Sequence, residues 1–86
     1  MSLSACKSII DENYRGALKE AARMTRQFEA LVGEPSFADL PADHQAKFFE
    51  AAIDIDNDAM NGACNVLNAV ERYRKLNLQV ATAFDD

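Results

Sequence analysis

The sequence predicts an all-α fold: an antiparallel hairpin of two long amphipathic helices that dimerises into a four-helix bundle. Two observations carry this expectation. Apolar residues recur in steps of three and four along most of the chain, the spacing a 3.6-residue period requires. A hydrophobic content of 49% with three Gly, two Pro and no Trp is too apolar for disorder and too poor in turn residues for a β fold.

Helix one is expected over about residues 3–32. Its stripe runs through Leu3, Cys6, Ile10, Tyr14, Ala17, Ala21, Met24, Phe28 and Leu31. Gly33 lies just past the last apolar residue and Pro35 follows, so a glycine in a left-handed turn should end the helix. Residues 33–40 form a connector in which Ser36 and Asp39 can cap a short turn. Helix two is expected to start near Pro41, which suits a first turn because its missing N–H has no partner to lose there.

From Pro41 the pattern keeps its phase through Phe48, Ala52, Ile55, Ala59, Ala63, Val66, Val70 and Tyr73, then weakens towards Val80. A second stripe opposite, from Lys47 and Glu50 through Asn61 to Lys75, repeats the same period. One unbroken helix over about 41–80 is therefore expected, with Asn57 and Gly62 as the places where it would break. Paired antiparallel, the helices bring Gly16, Ala17 and Ala21 near Ala52, Ala59 and Ala63, and Phe28 onto Phe48 and Phe49 near the turn. The whole chain, residues 1–86, then forms a single helical domain.

The apolar arcs are unequal. At 100° per residue helix one has an arc of roughly 140° and helix two one of roughly 200°, more than a single neighbour covers. The excess, Phe49, Ile53, Met60 and Leu67, is assigned to a dimer or partner interface. Asp56 falls in the middle of that arc, so it belongs to the same interface. A carboxylate there either calls for a partner, with Arg15 or Lys19 of helix one the expected cation, or stands at the rim of the arc and reaches solvent.

Asp54, Asp56 and Asp58 resemble the start of a calcium loop in their alternate spacing. An EF-hand loop beginning at Asp54 would place Ala59, Asn61 and Asn65 where it requires Gly, an aliphatic residue and a Glu. In a helix, moreover, Asp56 points about 160° away from Asp54. Neither calcium nor another metal or cofactor is expected. Cys6 and Cys64 are far apart with one distant His44, which excludes a zinc site and a redox pair and makes both cysteines small apolar residues of the interior.

Charge is segregated along the chain. Residues 1–33 carry five basic and four acidic side chains, a net +1, whereas residues 34–70 carry one basic and seven acidic, a net −6. Arg15, Lys19, Arg23 and Arg26 form a basic stripe on helix one, and Glu50, Asp54 and Asp58 an acidic stripe on helix two. The total of −5 opposes general adhesion to nucleic acid or anionic membrane. No apolar run is long enough to span a bilayer and no signal peptide is visible, so a cytoplasmic protein is expected, with secretion by a signal-less route left open.

Catalysis finds no constellation: there is no Ser–His–acid order, glycine-rich phosphate loop or paired carboxylate site. The expected function is therefore binding. A small acidic interaction protein, acting as a homodimer that takes a further protein partner, is the first reading: a regulator, inhibitor or adaptor of the kind phages and mobile elements carry. A nucleic-acid-binding dimer using the basic stripe, or a structural subunit of a larger assembly, is the alternative.

Overall fold

The computed structural model describes residues 3–85 and has four helices: α1 (Leu3–Val32), α2 (Pro35–Ala38), α3 (Ala42–Met60) and α4 (Val66–Ala83). Residues 1–2 and 86 lie outside the described residues, as do the side chains of 3–13, with the expectation for Cys6 among them. Among the described residues the regular structure is all helical, and no helix is long and apolar enough to cross a membrane.

α1 has the span its apolar stripe marks out, but its end differs from expectation. Gly33 donates to Glu29 O at 3.1 Å and Glu34 to Leu31 O at 3.2 Å without a left-handed residue, and Pro35 then opens α2. α2 buries Phe37 against Phe48 and Phe49. In place of the Ser36 and Asp39 caps, the Gln45 side chain closes the connector by donating to the carbonyls of Ala38 and Leu40, at 3.2 and 2.8 Å.

The unbroken second helix is corrected: it divides into α3 and α4 at residues 61–65. Gly62, one of the two places marked for a break, has φ +74, a conformation that costs an L side chain but not glycine. Gly62 donates to Ala59 O at 3.4 Å and Ala63 to Asp58 O at 2.8 Å, the paired bonds of a Schellman ending. Asn65 then caps α4 by accepting from the Asn68 N–H at 2.9 Å. The chain reverses within five residues.

This reversal changes which helices meet. α4 runs antiparallel to α3, with Asp58 on Arg72 and Ala52 near Tyr73. It runs parallel to α1, since Tyr14 stands beside Leu67 and Met24 beside Asn77. α4 is thus the helix that packs along both others, whereas α1 and α3 converge near the connector, where Phe28 and Phe49 meet edge-on at 6.1 Å. The expected contact of Phe28 with Phe49 is present; the expected mid-hairpin meeting of small residues is replaced by α4.

The core gathers Met24 and Phe28 of α1, Phe37, Phe48 and Ile55, and Val70, Tyr73, Leu76 and Val80 of α4. Asn77 is buried among them, 3% exposed, and donates to Met24 O at 3.0 Å, which pins the parallel register of α1 on α4. Its carbonyl oxygen has no partner among the described residues, a cost of about 1–3 kcal/mol that the register bond offsets only in part. Because α4 begins beside Tyr14, α1 outruns it by residues 3–13, about 16 Å at 1.5 Å per residue. The radius of gyration is 15.9 Å, above the ~12 Å of a compact domain this size.

Two glycine substitutions should move stability in opposite directions. Gly62→Ala forces a left-handed alanine and is expected to cost about 1 kcal/mol or more. Gly16→Ala, in mid-helix with open space for a methyl group, should gain about 0.5–1 kcal/mol. Urea melts of the two variants check this; equal effects would remove the turn from the account.

Candidate functional site

Beyond the Phe28–Phe49 contact the walls formed by α1 and α3 stand apart, and the space between them is a groove of about 600 Å³. Its floor is α4, with Val66, Ala69 and Tyr73. Tyr14, Leu18, Ala21 and Thr25 form the α1 wall, on a stripe about 60° wide at 100° per residue. Asp56 and Ala59 form the α3 wall, and the stripe that carries Asp56 also carries Phe49, Ile53 and Met60.

Seven large hydrophobic residues of the described part are exposed; Tyr14, Leu18 and Leu67 line the groove, and Phe49, Ile53 and Met60 share the α3 stripe that carries Asp56. Single exposed apolar residues are ordinary. Six on the facing stripes of α1 and α3 and at the start of α4, with Met60 82% and Leu67 63% exposed, are a larger group than scattered single residues. Of the residues the sequence assigns to an interface, Asp56 and Leu67 line the groove, while Phe49, Ile53 and Met60 lie on the same stripe of α3 as Asp56. Tyr14 and Leu18 were missed there: Tyr14 falls on the stripe assigned to the hairpin core, and Leu18 lies one position off it.

Asp56 meets a different partner from the one expected. Its carboxylate accepts a hydrogen bond of 2.7 Å from the Tyr73 hydroxyl, and no ion pair reaches it among the described residues. The reason is spatial: the groove holds α1, with Arg15 and Lys19, away from α3, while α4 brings a phenol to the floor. The residue itself is exposed. Burial, and then the Asp56 carboxylate that holds the phenolic proton, push the Tyr73 pKa well above its ordinary value of 10. Thr25, whose hydroxyl donates to Ala21 O at 2.9 Å, and Tyr14 are the polar side chains of the α1 wall.

The charged stripes are only partly available. On α1, Arg15, Lys19 and Arg26 are exposed, while Arg23 grips Glu20 through two hydrogen bonds of 3.1 and 2.6 Å. That bond holds the Glu20 carboxyl below its usual range. On α3, Glu50 and Asp54 are exposed. Asp58 is taken by Arg72 at 2.7 Å, an ion pair that ties α3 to α4 and raises the Arg72 pKa. Cys64, half-buried in the turn, sits 3.9 Å from the same guanidinium.

The three aspartates of the apparent calcium loop face three ways. Asp54 borders the opposite crevice between α3 and α4, Asp56 the Tyr73 hydroxyl, and Asp58 Arg72. Among the described residues no group of three His, Cys, Asp or Glu is placed to hold a metal ion. What the groove offers chemically is apolar area, the Asp56 carboxylate, the hydroxyls of Tyr14, Thr25 and Tyr73, and the Cys64 thiol and Asn65 amide at the turn. No family model matches this chain, and neither a curated protein nor a solved structure is significantly similar to it.

The Tyr73 environment gives a pH dependence with a fixed sign. The folded state favours the neutral phenol, so this contribution is complete below about pH 10 and declines as pH rises past the unfolded value, by up to about 1.4 kcal/mol per unit. Urea melts at about pH 9 and about pH 11 should show a larger loss for the wild type than for Tyr73→Phe. Equal losses in both proteins would detach the effect from Tyr73.

Proposed function

We propose that this chain is a small acidic protein–protein interaction protein that acts by binding rather than catalysis. Its first partner is a second copy of itself, and the dimer then engages another protein as a regulator, inhibitor or adaptor. Size and acidity suit the regulators that phages and mobile elements carry, and the proposed compartment is the cytoplasm.

The observation that supports this reading is the exposure of Tyr14, Leu18 and Leu67 along one groove, with Phe49, Ile53 and Met60 exposed on the α3 stripe that carries Asp56. Leaving such a patch in water forgoes roughly 25 cal/mol for each Å² that a partner would cover. A second copy covers it most economically, because a two-fold contact uses the same patch on both sides and closes into one bundle. The nucleic-acid reading is weakened, since Arg23 is engaged by Glu20 and the remaining basic residues lie on a chain of net charge −5.

Sedimentation at micromolar concentration is expected to give a dimer for the wild type and a helical monomer for Ile53→Asp and Met60→Asp. Both residues are exposed, so each monomer should keep its stability to within about 0.5 kcal/mol. Leu78→Asp, on the exposed hydrophobic residue that lies away from the groove, should leave association unchanged. A wild type that stays monomeric, or equal effects at Leu78 and Met60, would refute the proposal.

A further inference from the structure

We propose that residues 3–13 of α1 lie in the groove of a second copy, where Lys7 meets the partner's Asp56, and that the partner's segment returns the contact. This rests on the dimer reading above and adds to it the segment that fills the groove.

The inference starts from a match in length. α1 continues past the start of α4 by residues 3–13, about 16 Å of helix at 1.5 Å per residue. The α1 wall of the groove, from Tyr14 to Thr25, spans about 16 Å on the same scale. The walls converge at Phe28 and Phe49, so a helix enters from the other end, at Tyr14 and Leu67, which is where the extension leaves. A helix laid between these two walls over the α4 floor completes a four-helix arrangement.

Charge selects the occupant. Asp56 lines the groove with its carboxylate held by the Tyr73 hydroxyl, and among the described residues no cation reaches it. A wholly apolar helix laid there would cover that charge without a counter-ion, which is costly, so the helix that fits carries a cation beside its apolar stripe. Residues 3–13 have that sequence. Leu3, Cys6 and Ile10 recur in steps of three and four, and Lys7 falls at the edge of their stripe, about 40–100° round from them. It is the one basic residue ahead of Arg15.

The register of the insertion brings the two charges together. A two-fold axis crossing α1 at the level of Tyr14 turns each extension back over the other copy's groove, antiparallel to the α1 wall. Counting from Tyr14, the partner's Ile10 comes level with Leu18, the partner's Lys7 with Ala21 and the partner's Leu3 with Thr25. The level of Asp56 is fixed independently. Phe28 and Phe49 stand at one height, and two turns along from that pair Asp56 is level with Ala21. Tyr14 stands beside Leu67 on the parallel α4, so Tyr73, which holds Asp56, is level with Glu20. Both counts agree to within one residue. Inside a single copy Lys7 lies about 21 Å along the α1 axis from the level of Asp56, too far for a lysine side chain, so the pair forms only between copies.

Charge reversal in the full chain tests the insertion by sedimentation at low salt, with circular dichroism confirming that helix content is kept. Lys7→Glu and Asp56→Lys should each weaken the homodimer by about tenfold or more, since both of its pairs become repulsive. An equimolar mixture of the two variants should associate to within about threefold of wild type, because one groove keeps the native pair and the other holds it reversed. Arg26→Glu, the same charge change away from the groove, should also stay within about threefold. Carbodiimide coupling of mixed isotope-labelled and unlabelled wild-type chains, read by mass spectrometry, should join Lys7 to Asp56 between chains, and it needs no variant to fold. If the wild type dimerises while Lys7→Glu matches it, if Arg26→Glu weakens it equally, or if Lys7 couples elsewhere and never to Asp56, the insertion is overturned and the dimer reading stands. A wild type that never dimerises removes the dimer reading itself, and the insertion with it.

Discussion

Everything else in this molecule depends on the reversal at residues 61–65, because it lets one helix serve two neighbours. Gly62 in its left-handed conformation and the Asn65 cap end α3 and start α4 within a few residues, and α4 folds back between α1 and α3. Tyr73 shows the consequence at one residue. Its ring is 4% exposed and meets Phe28 of α1 edge-on at 6.2 Å, while its hydroxyl bonds Asp56 of α3. A helix used as the floor for two walls cannot also be a lid. The walls are consequently left facing each other across a groove, and their outermost apolar residues are left in water.

The size of the chain makes that outcome costly. Eighty-six residues bury a modest fraction of their surface, and α1 is drawn out beyond the start of α4. The polar interactions within the fold are few and specific. Asn77 fixes the register of α1 on α4 while leaving its own carbonyl unpartnered, and the Arg72–Asp58 pair fastens α4 to α3. Neither fills the groove. Ile53, Met60 and Leu67 stay exposed in the folded chain, and the Asp56 carboxylate is held by a phenol.

Much of this was legible in the sequence, and the failures have physical causes. The 3.6-residue period identified α1, and the surplus of apolar residues on the second half of the chain picked out Phe49, Ile53, Met60 and Leu67, which the fold leaves exposed. The break was harder to see because Ala59, Ala63 and Val66 carry the apolar spacing across the turn, although Ala63 is exposed within the turn itself. Periodicity reports local phase. It does not report the direction of the axis, so it could not show that α4 would run parallel to α1. Asp56 was misassigned for the same reason: the groups opposite it on α1 were counted, but the phenol that α4 brings beneath it follows only from the reversal.

The central claim is that the groove walls, and not the back of the bundle, are the surface this protein uses. Methyl NMR on a dilution series of the wild type addresses it most directly. The account predicts concentration-dependent shifts at Leu18, Ile53, Met60 and Leu67, with Leu78 and the buried Ile55 and Val80 unchanged. Shifts centred on Leu78, or spectra that do not change with concentration while the protein sediments as a dimer, would contradict it.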